Sequence, residues 1–130
     1  MSDNHRKFPE VRVYLLVRQA SEEIAVWNQE NHWTLPYWRL TGGQSWSQVL
    51  ALGLKQLELS VCQTRLLGVF SGAQVEAGQV SAIFLGENEG DSLPKSLQWA
   101  DPRKPSSPLD TLSIEIIEQY LAHPQKFWID

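Results

Sequence analysis

Carboxylates at close spacing are among the side chains best able to do chemistry in water, and this chain gathers three of them, Glu87, Glu89 and Asp91, in the run GENEGDS. Acids so close together could hold a hard divalent cation or serve as general acid and base. Set among Gly, Asn and Ser, the run reads first as a solvated loop. The other reactive side chains stand alone. His32 has no second His or Cys at ligand spacing and reads as a surface histidine. Cys62 has no base nearby in sequence, and a single cysteine excludes an internal disulfide. There is no G-x4-G-K-[ST] phosphate loop, no H-E-x-x-H and no G-x-S-x-G. The aromatics are the remaining resource. Six tryptophans stand at 27, 33, 38, 46, 99 and 128; core and rim packing is the first expectation for them, an aromatic pocket the second.

Residues 33–61, WTLPYWRLTGGQSWSQVLALGLKQLELSV, organise the elements that would position any such site. They read as a short strand over 33–35, a glycine turn at Thr41-Gly42-Gly43, and a helix ending near Leu59. Ser45 is a good N-cap, and Gln48 three residues on completes a capping box. Trp46, Val49, Leu50, Gly53, Leu54 and Leu57 then recur with the period of one buried helical stripe. Gly53 interrupts it, at a cost of about 0.5–1 kcal/mol relative to alanine.

The remaining elements follow from composition. Residues 1–10 read as a loose polar arm and 11–130 as a single domain. Residues 11–18 are rich in β-formers and read as a central strand, with 24–27 as a hairpin partner. Pro36 should sit at a strand edge, because it cannot donate to a ladder. Residues 64–71 and 79–86 read as a strand pair joined by the loop 72–78, and 97–100 as a last short strand. Residues 104–108 form a Pro-rich linker, Asp110 is placed to cap a final helix that stops at His123-Pro124, and the tail FWID should dock on the body or a partner.

The segment 33–61 resembles the box of the Nudix hydrolases, G-x5-E-x7-R-E-U-x-E-E-x-G-U, often preceded by W-x-L-P. Trp33, Leu35 and Pro36 match the lead-in, Arg39 and Leu40 match residues that often follow, and Gly43 matches the glycine before the first glutamate. The register then runs without a gap. It puts the opening glycine pair on Tyr37 and Trp38, the first glutamate on Gln44, the Arg-Glu pair on Leu52 and Gly53, the Glu-Glu pair on Gln56 and Leu57, and the closing glycine on Leu59.

The resemblance covers about residues 11–122 and implies an α+β fold, the α/β/α sandwich of that family, with a mixed sheet, a box helix and a C-terminal helix. It also implies where metal chemistry should be and is not. Positions 53, 56 and 57 share one helix face; the family uses carboxylates there to hold Mg²⁺ against a diphosphate, and this chain offers a glycine, an amide and a leucine. The expectation is a Nudix fold without Nudix hydrolysis, no catalytic residue and no metal, with Mg²⁺ or Mn²⁺ relevant only if activity survives. Tyr37, Trp38, Arg39, Gln44, Gly53, Gln56 and Leu57 are then expected to line a pocket for a nucleotide-like small molecule. Trp38 should lean over Gly53 and replace a charged site with an apolar one. The alternatives are a scaffold for a homodimer or protein partner, and a divergent hydrolase drawing on Glu87, Glu89 and Asp91.

Composition bounds the partners. The net charge is −4, and the basic pairs Arg6-Lys7 and Arg103-Lys104 make no stripe, which argues against nucleic acid. No apolar stretch approaches the ~18–20 residues a membrane span needs, and the polar N-terminus is no signal peptide. A cytoplasmic protein is the expectation.

Overall fold

The computed structural model describes residues 10–29, 32–70, 79–90, 93, 95–104, 108–123 and 128–129. The loop 72–78 and Asp91, together with most of the N-terminal arm and part of the linker, lie outside the described residues.

Strand β1 (Glu10–Arg18) is the axis of the molecule. Residues Val13, Tyr14, Leu15, Leu16 and Val17 have no exposed surface, as a β-branched and aromatic run covered on both faces should. It lies parallel to β6 (Gln79–Asn88), from Glu10 opposite Gln79 to Arg18 opposite Glu87. Strand β5 (Val61–Phe70) runs antiparallel to β6 on the far side. On the near side β1 pairs antiparallel with β4 (Tyr37–Arg39) and, at Arg18 and Ile24, with β2 (Ile24–Gln29). Strand β2 also carries β3 (His32–Thr34) and β7 (Leu97–Ala100). Among the described residues the mixed sheet has eight strands, six in the order β3-β2-β1-β6-β5-β8, with β4 on β1 and β7 on β2 off this path.

Alternation along β1 sends its side chains to two cores. Tyr14 and Leu16 pack with Leu112, Ile116, Ile117 and Tyr120 of α2 (Thr111–Ala122). Val13, Leu15 and Val17 pack with Val49, Leu50 and Leu57 at α1 (Trp46–Gln56). Each buried Leu, Ile or Val contributes about 1.5–3 kcal/mol, so both helices are held by the sheet rather than by propensity. The result is the expected α/β/α sandwich. Among the described residues no helix is long and apolar enough to cross a membrane.

The capping box forms as read: Gln48 N–H donates to Ser45 Oγ and Ser45 N–H donates to Gln48 Oε1. Several expectations need correction. Pro36 sits between β3 and β4, its carbonyl accepting from Leu15 N–H at 2.9 Å, where the chain passes from β3, paired with β2, to β4, paired with β1. Helix α1 stops at Gln56, where Glu58 takes a left-handed φ of 54°. Leu59 N–H then donates to Leu54 O and Glu58 N–H to Lys55 O, the paired bonds of a Schellman ending. The left-handed residue thus stands one position before the family's closing glycine. Strand β5 begins three residues earlier than read, and β6 extends through Glu87 and Asn88, so Glu87 lies in a strand. Glu10 belongs to β1 rather than to the arm. Asp110 is the N-cap of α2 but makes no side-chain capping bond. The backbone of the tail does dock, as β8 (Trp128–Ile129), parallel to β5 at Gly68 and Val69.

Candidate functional site

Trp38 pairs with Val13 across the β1–β4 ladder, so its side chain lies on the α1 face. It packs there over the middle of the helix. A methyl group on Gly53 would stand 2.5 Å from Cζ2 and 2.6 Å from Cδ2 of the Trp38 ring, far inside the 3.5–4.0 Å of carbon–carbon contact. Gly53 is therefore a glycine because the indole occupies the place of its side chain. The ring is fixed from two further sides. Its Nε1–H donates to Gln56 Oε1 at 3.2 Å, and Trp27 lies beside it with ring centroids 6.3 Å apart.

This arrangement fills the position at which the box resemblance would put a divalent cation. Such a cation needs several oxygen ligands, preferably charged. Gly53 has none, Gln56 spends its amide oxygen on the indole, and Leu57 is 4% exposed within the core. Leu57 therefore supports the fold from inside. Among the described residues no group of three or more His, Cys, Asp or Glu is placed to hold a metal ion. The side chains present do not fit Mg²⁺ or Mn²⁺.

Not every sequence candidate joins Trp38. Tyr37, one residue away on an extended strand, pairs with Tyr14 and faces the other side of the sheet. It stacks on Tyr14 at 5.0 Å, and the Arg12 guanidinium lies 4.7 Å above its ring. Tyr37 and Trp38 thus flank the sheet instead of filling one groove together. Sequence reading missed Arg12 and Tyr14, although their even spacing in VRVYLLVR places them on one face. Arg12 Nε donates to Glu10 Oε2 at 2.6 Å and its Nη1 to Tyr14 Oη at 3.1 Å. Burial pushes the Tyr14 phenol up to about 12, against the opposing pull of Arg12. The Arg12 hydrogen bond holds the Glu10 carboxyl below its usual range despite partial burial. Arg39, 65% exposed, shares Glu10 at 3.1 Å. Gln44 stays at the turn, its Oε1 accepting from Thr41 Oγ1 at 2.6 Å.

The acids do not converge on Gly53 either. Glu87 is bound by Arg18, whose Nη2 and Nε both donate to its Oε2, the latter at 3.1 Å. Arg18 Nη1 also donates to Tyr120 Oη of α2 at 2.8 Å. Glu87 therefore works on the α2 side of the sheet, across from Trp38. Glu89 accepts from Ser60 Oγ at 3.1 Å.

The open cavity on the α1 face is a groove of about 650 Å³ beyond the N-terminus of the helix. Strand residues Val11, Val13, Ala82, Phe84, Leu66 and Val69 line it, with Thr64, Arg65, Gln44 and Ser45 among its polar groups. Trp46 closes one wall, stacked on Phe84 at 4.7 Å and 21°. Sequence periodicity put Trp46 in the core; it is 52% exposed, although one face of its ring stacks on Phe84 of the sheet.

No family model and no curated protein matches the chain in sequence. Solved structures do match in fold. An ADP-ribose pyrophosphatase from Streptococcus suis superposes with a TM-score of 0.73 at 12% identity, over 94% of this chain and 99% of that one. A NUDIX hydrolase from Nitrosomonas europaea gives 0.73 at 14% identity, over 96% and 79%. The NUDIX domain of Shewanella oneidensis NrtR, solved as a complex with ADP ribose, gives 0.72 at 12% identity, over 96% and 94%. At such identities the likeness establishes the Nudix fold.

Proposed function

We propose that this is a Nudix-fold domain that does not hydrolyse diphosphates and instead binds a small nucleotide-like ligand. One observation carries the first half: the Trp38 ring stands where the side chain of residue 53 would have to project. Without a metal, nothing at this position lowers the pKa of a water or offsets charge on a leaving phosphate. The second half is supported by the fold, which in one structural neighbour was solved with ADP ribose, and by the edge strand β4. There Trp38 offers an aromatic edge, and the largely exposed Arg39 offers a cation to phosphate without a metal.

The test uses ADP-ribose and common nucleoside diphosphates with Mg²⁺ or Mn²⁺. The reading expects no product and a raised melting temperature with at least one compound; ligand at 100 Kd stabilises by about 2.7 kcal/mol. Turnover of about 1 s⁻¹ or more, typical of enzymes, contradicts the first half. No thermal shift with any compound contradicts the second. The exposed Trp46, Leu52 and Leu66 would then favour a surface for protein contacts.

A further inference from the structure

Helix α2 carries apolar residues that the sheet alone does not use. Leu112, Ile116 and Tyr120 turn to the core, whereas Ile114, Ile117, Glu118 and Leu121 recur at i, i+3, i+4 and i+7 along a second face. That face is one wall of a groove of about 370 Å³. Pro102, Arg103, Pro108 and Leu109 make the other wall. Ile114 is 42% exposed there, and Ile117 joins the groove to the core. We propose that this groove is the interface of a two-fold homodimer, in which Glu118 of each copy meets Arg103 of the other.

Charge selects the occupant. The helix wall carries one ionisable side chain, the anion Glu118, and the facing wall carries one, the cation Arg103. No ion pair or side-chain hydrogen bond holds either of them among the described residues. A purely apolar partner would strip both charges of water without compensation. A partner of one sign would satisfy one and repel the other. A second copy turned about a two-fold axis lays its helix wall on this copy's loop wall, and the reverse, so both pairs form at once.

Shape and stiffness act in the same direction. Each exposed Ile114 then stands against the partner's apolar lining, and surface that one copy leaves wet is covered on both sides. Pro102 and Pro108 restrict the backbone of the loop wall, which leaves it less freedom to lose on docking. The groove lies on the α2 side of the sheet, across from Trp38, and the inference does not depend on the nucleotide reading.

The test measures the mass of the full chain by sedimentation equilibrium over a concentration series, with circular dichroism to confirm the fold. The wild-type chain is expected to dimerise. Ile114→Glu, at an exposed position, should shift it to monomer without loss of structure. Arg103→Glu and Glu118→Arg should each raise the dissociation constant by about tenfold or more, because each sets like charges opposite at two symmetric places. The double variant Arg103→Glu/Glu118→Arg exchanges the signs of both pairs and should regain wild-type affinity, a rescue that two independent surface charges would not show. A wild-type chain still monomeric at about 1 mM, the weak end of specific association, overturns the proposal. So does a dimer that persists in Ile114→Glu, or a double variant no tighter than the single ones. None of these measurements involves ADP-ribose, so the two readings fail separately.

Discussion

At the scale of single residues, Trp38 and Gly53 are one feature written at two distant positions. Helix propensity alone favours Ala over Gly at position 53 by about 0.5–1 kcal/mol. The indole reverses the sign, since overpacking a filled site costs about 1–3 kcal/mol. Gly53→Ala should therefore lower the stability measured by urea denaturation. In a Trp38→Gly background the same substitution should raise it, and a cycle showing no coupling would remove the packing account. The contact was legible in the sequence as a mid-helix glycine opposite an unexpected aromatic. The fate of Tyr37 was not, because the register assignment says which residues are neighbours but not that an extended chain sends them to opposite faces. Tyr14 offers a second check. Its folded pKa is pushed up to about 12 from the ordinary 10.0, by burial first. Above pH 10 the unfolded chain releases a proton that the folded chain keeps, so stability falls as pH rises. The slope from this one group should approach ~1.4 kcal/mol per pH unit between 10 and 12. A stability flat through that range would show the phenol to be solvated.

At the scale of elements, the end of α1 and the attachment of α2 are the informative joints. Glu58 sits in the left-handed region at the Schellman position, where glycine carries no Cβ penalty. Glu58→Gly should raise the melting temperature through the ending alone, by an amount equivalent to about 1 kcal/mol or less. A clear destabilisation would mean that the αL geometry is absent in solution. The second joint is Arg18, which ties Glu87 on β6 to Tyr120 on α2. Glu87→Ala leaves a partly buried guanidinium without its carboxylate and should cost about 1–3 kcal/mol; an acid merely exposed in a loop would cost almost nothing. The capping box, the β5–β6 hairpin and the final helix were all readable from spacing. The extension of β6 through Glu87 was not, because GENEGDS has the composition of a loop and only pairing with Val17 and Arg18 on one side and Val61 and Cys62 on the other makes a strand of its first residues. Trp46 shows a second limit: helical period assigns it to the sheet-facing side, where it does stack on Phe84, but does not say how much of the indole stays exposed.

At the scale of the whole molecule, the function proposed above separates fold from chemistry. The packing that makes a Nudix sandwich survives in apolar residues at the right period, among them Val13, Leu15, Val49, Leu50 and Leu57. Where the box resemblance would put oxygen ligands stand a glycine, an engaged amide and a core leucine. Leu57 shows how far the change has gone: it is buried with β1, so a carboxylate there would be costly to bury. Substituting glutamate at 53, 56 and 57 together is therefore a poor way to build a metal site, whereas Trp38→Gly with Gly53→Glu opens the space over the helix and leaves Leu57 in place, at the cost of the packing the indole makes on the core. The central claim, that an indole has taken the place of a divalent cation, is tested most directly by titrating Mn²⁺ into the unmodified chain and counting free ion by electron paramagnetic resonance. The account predicts no site tighter than about the millimolar range, because one amide oxygen cannot replace several carboxylates. A micromolar site that Gln56→Ala abolishes would contradict it.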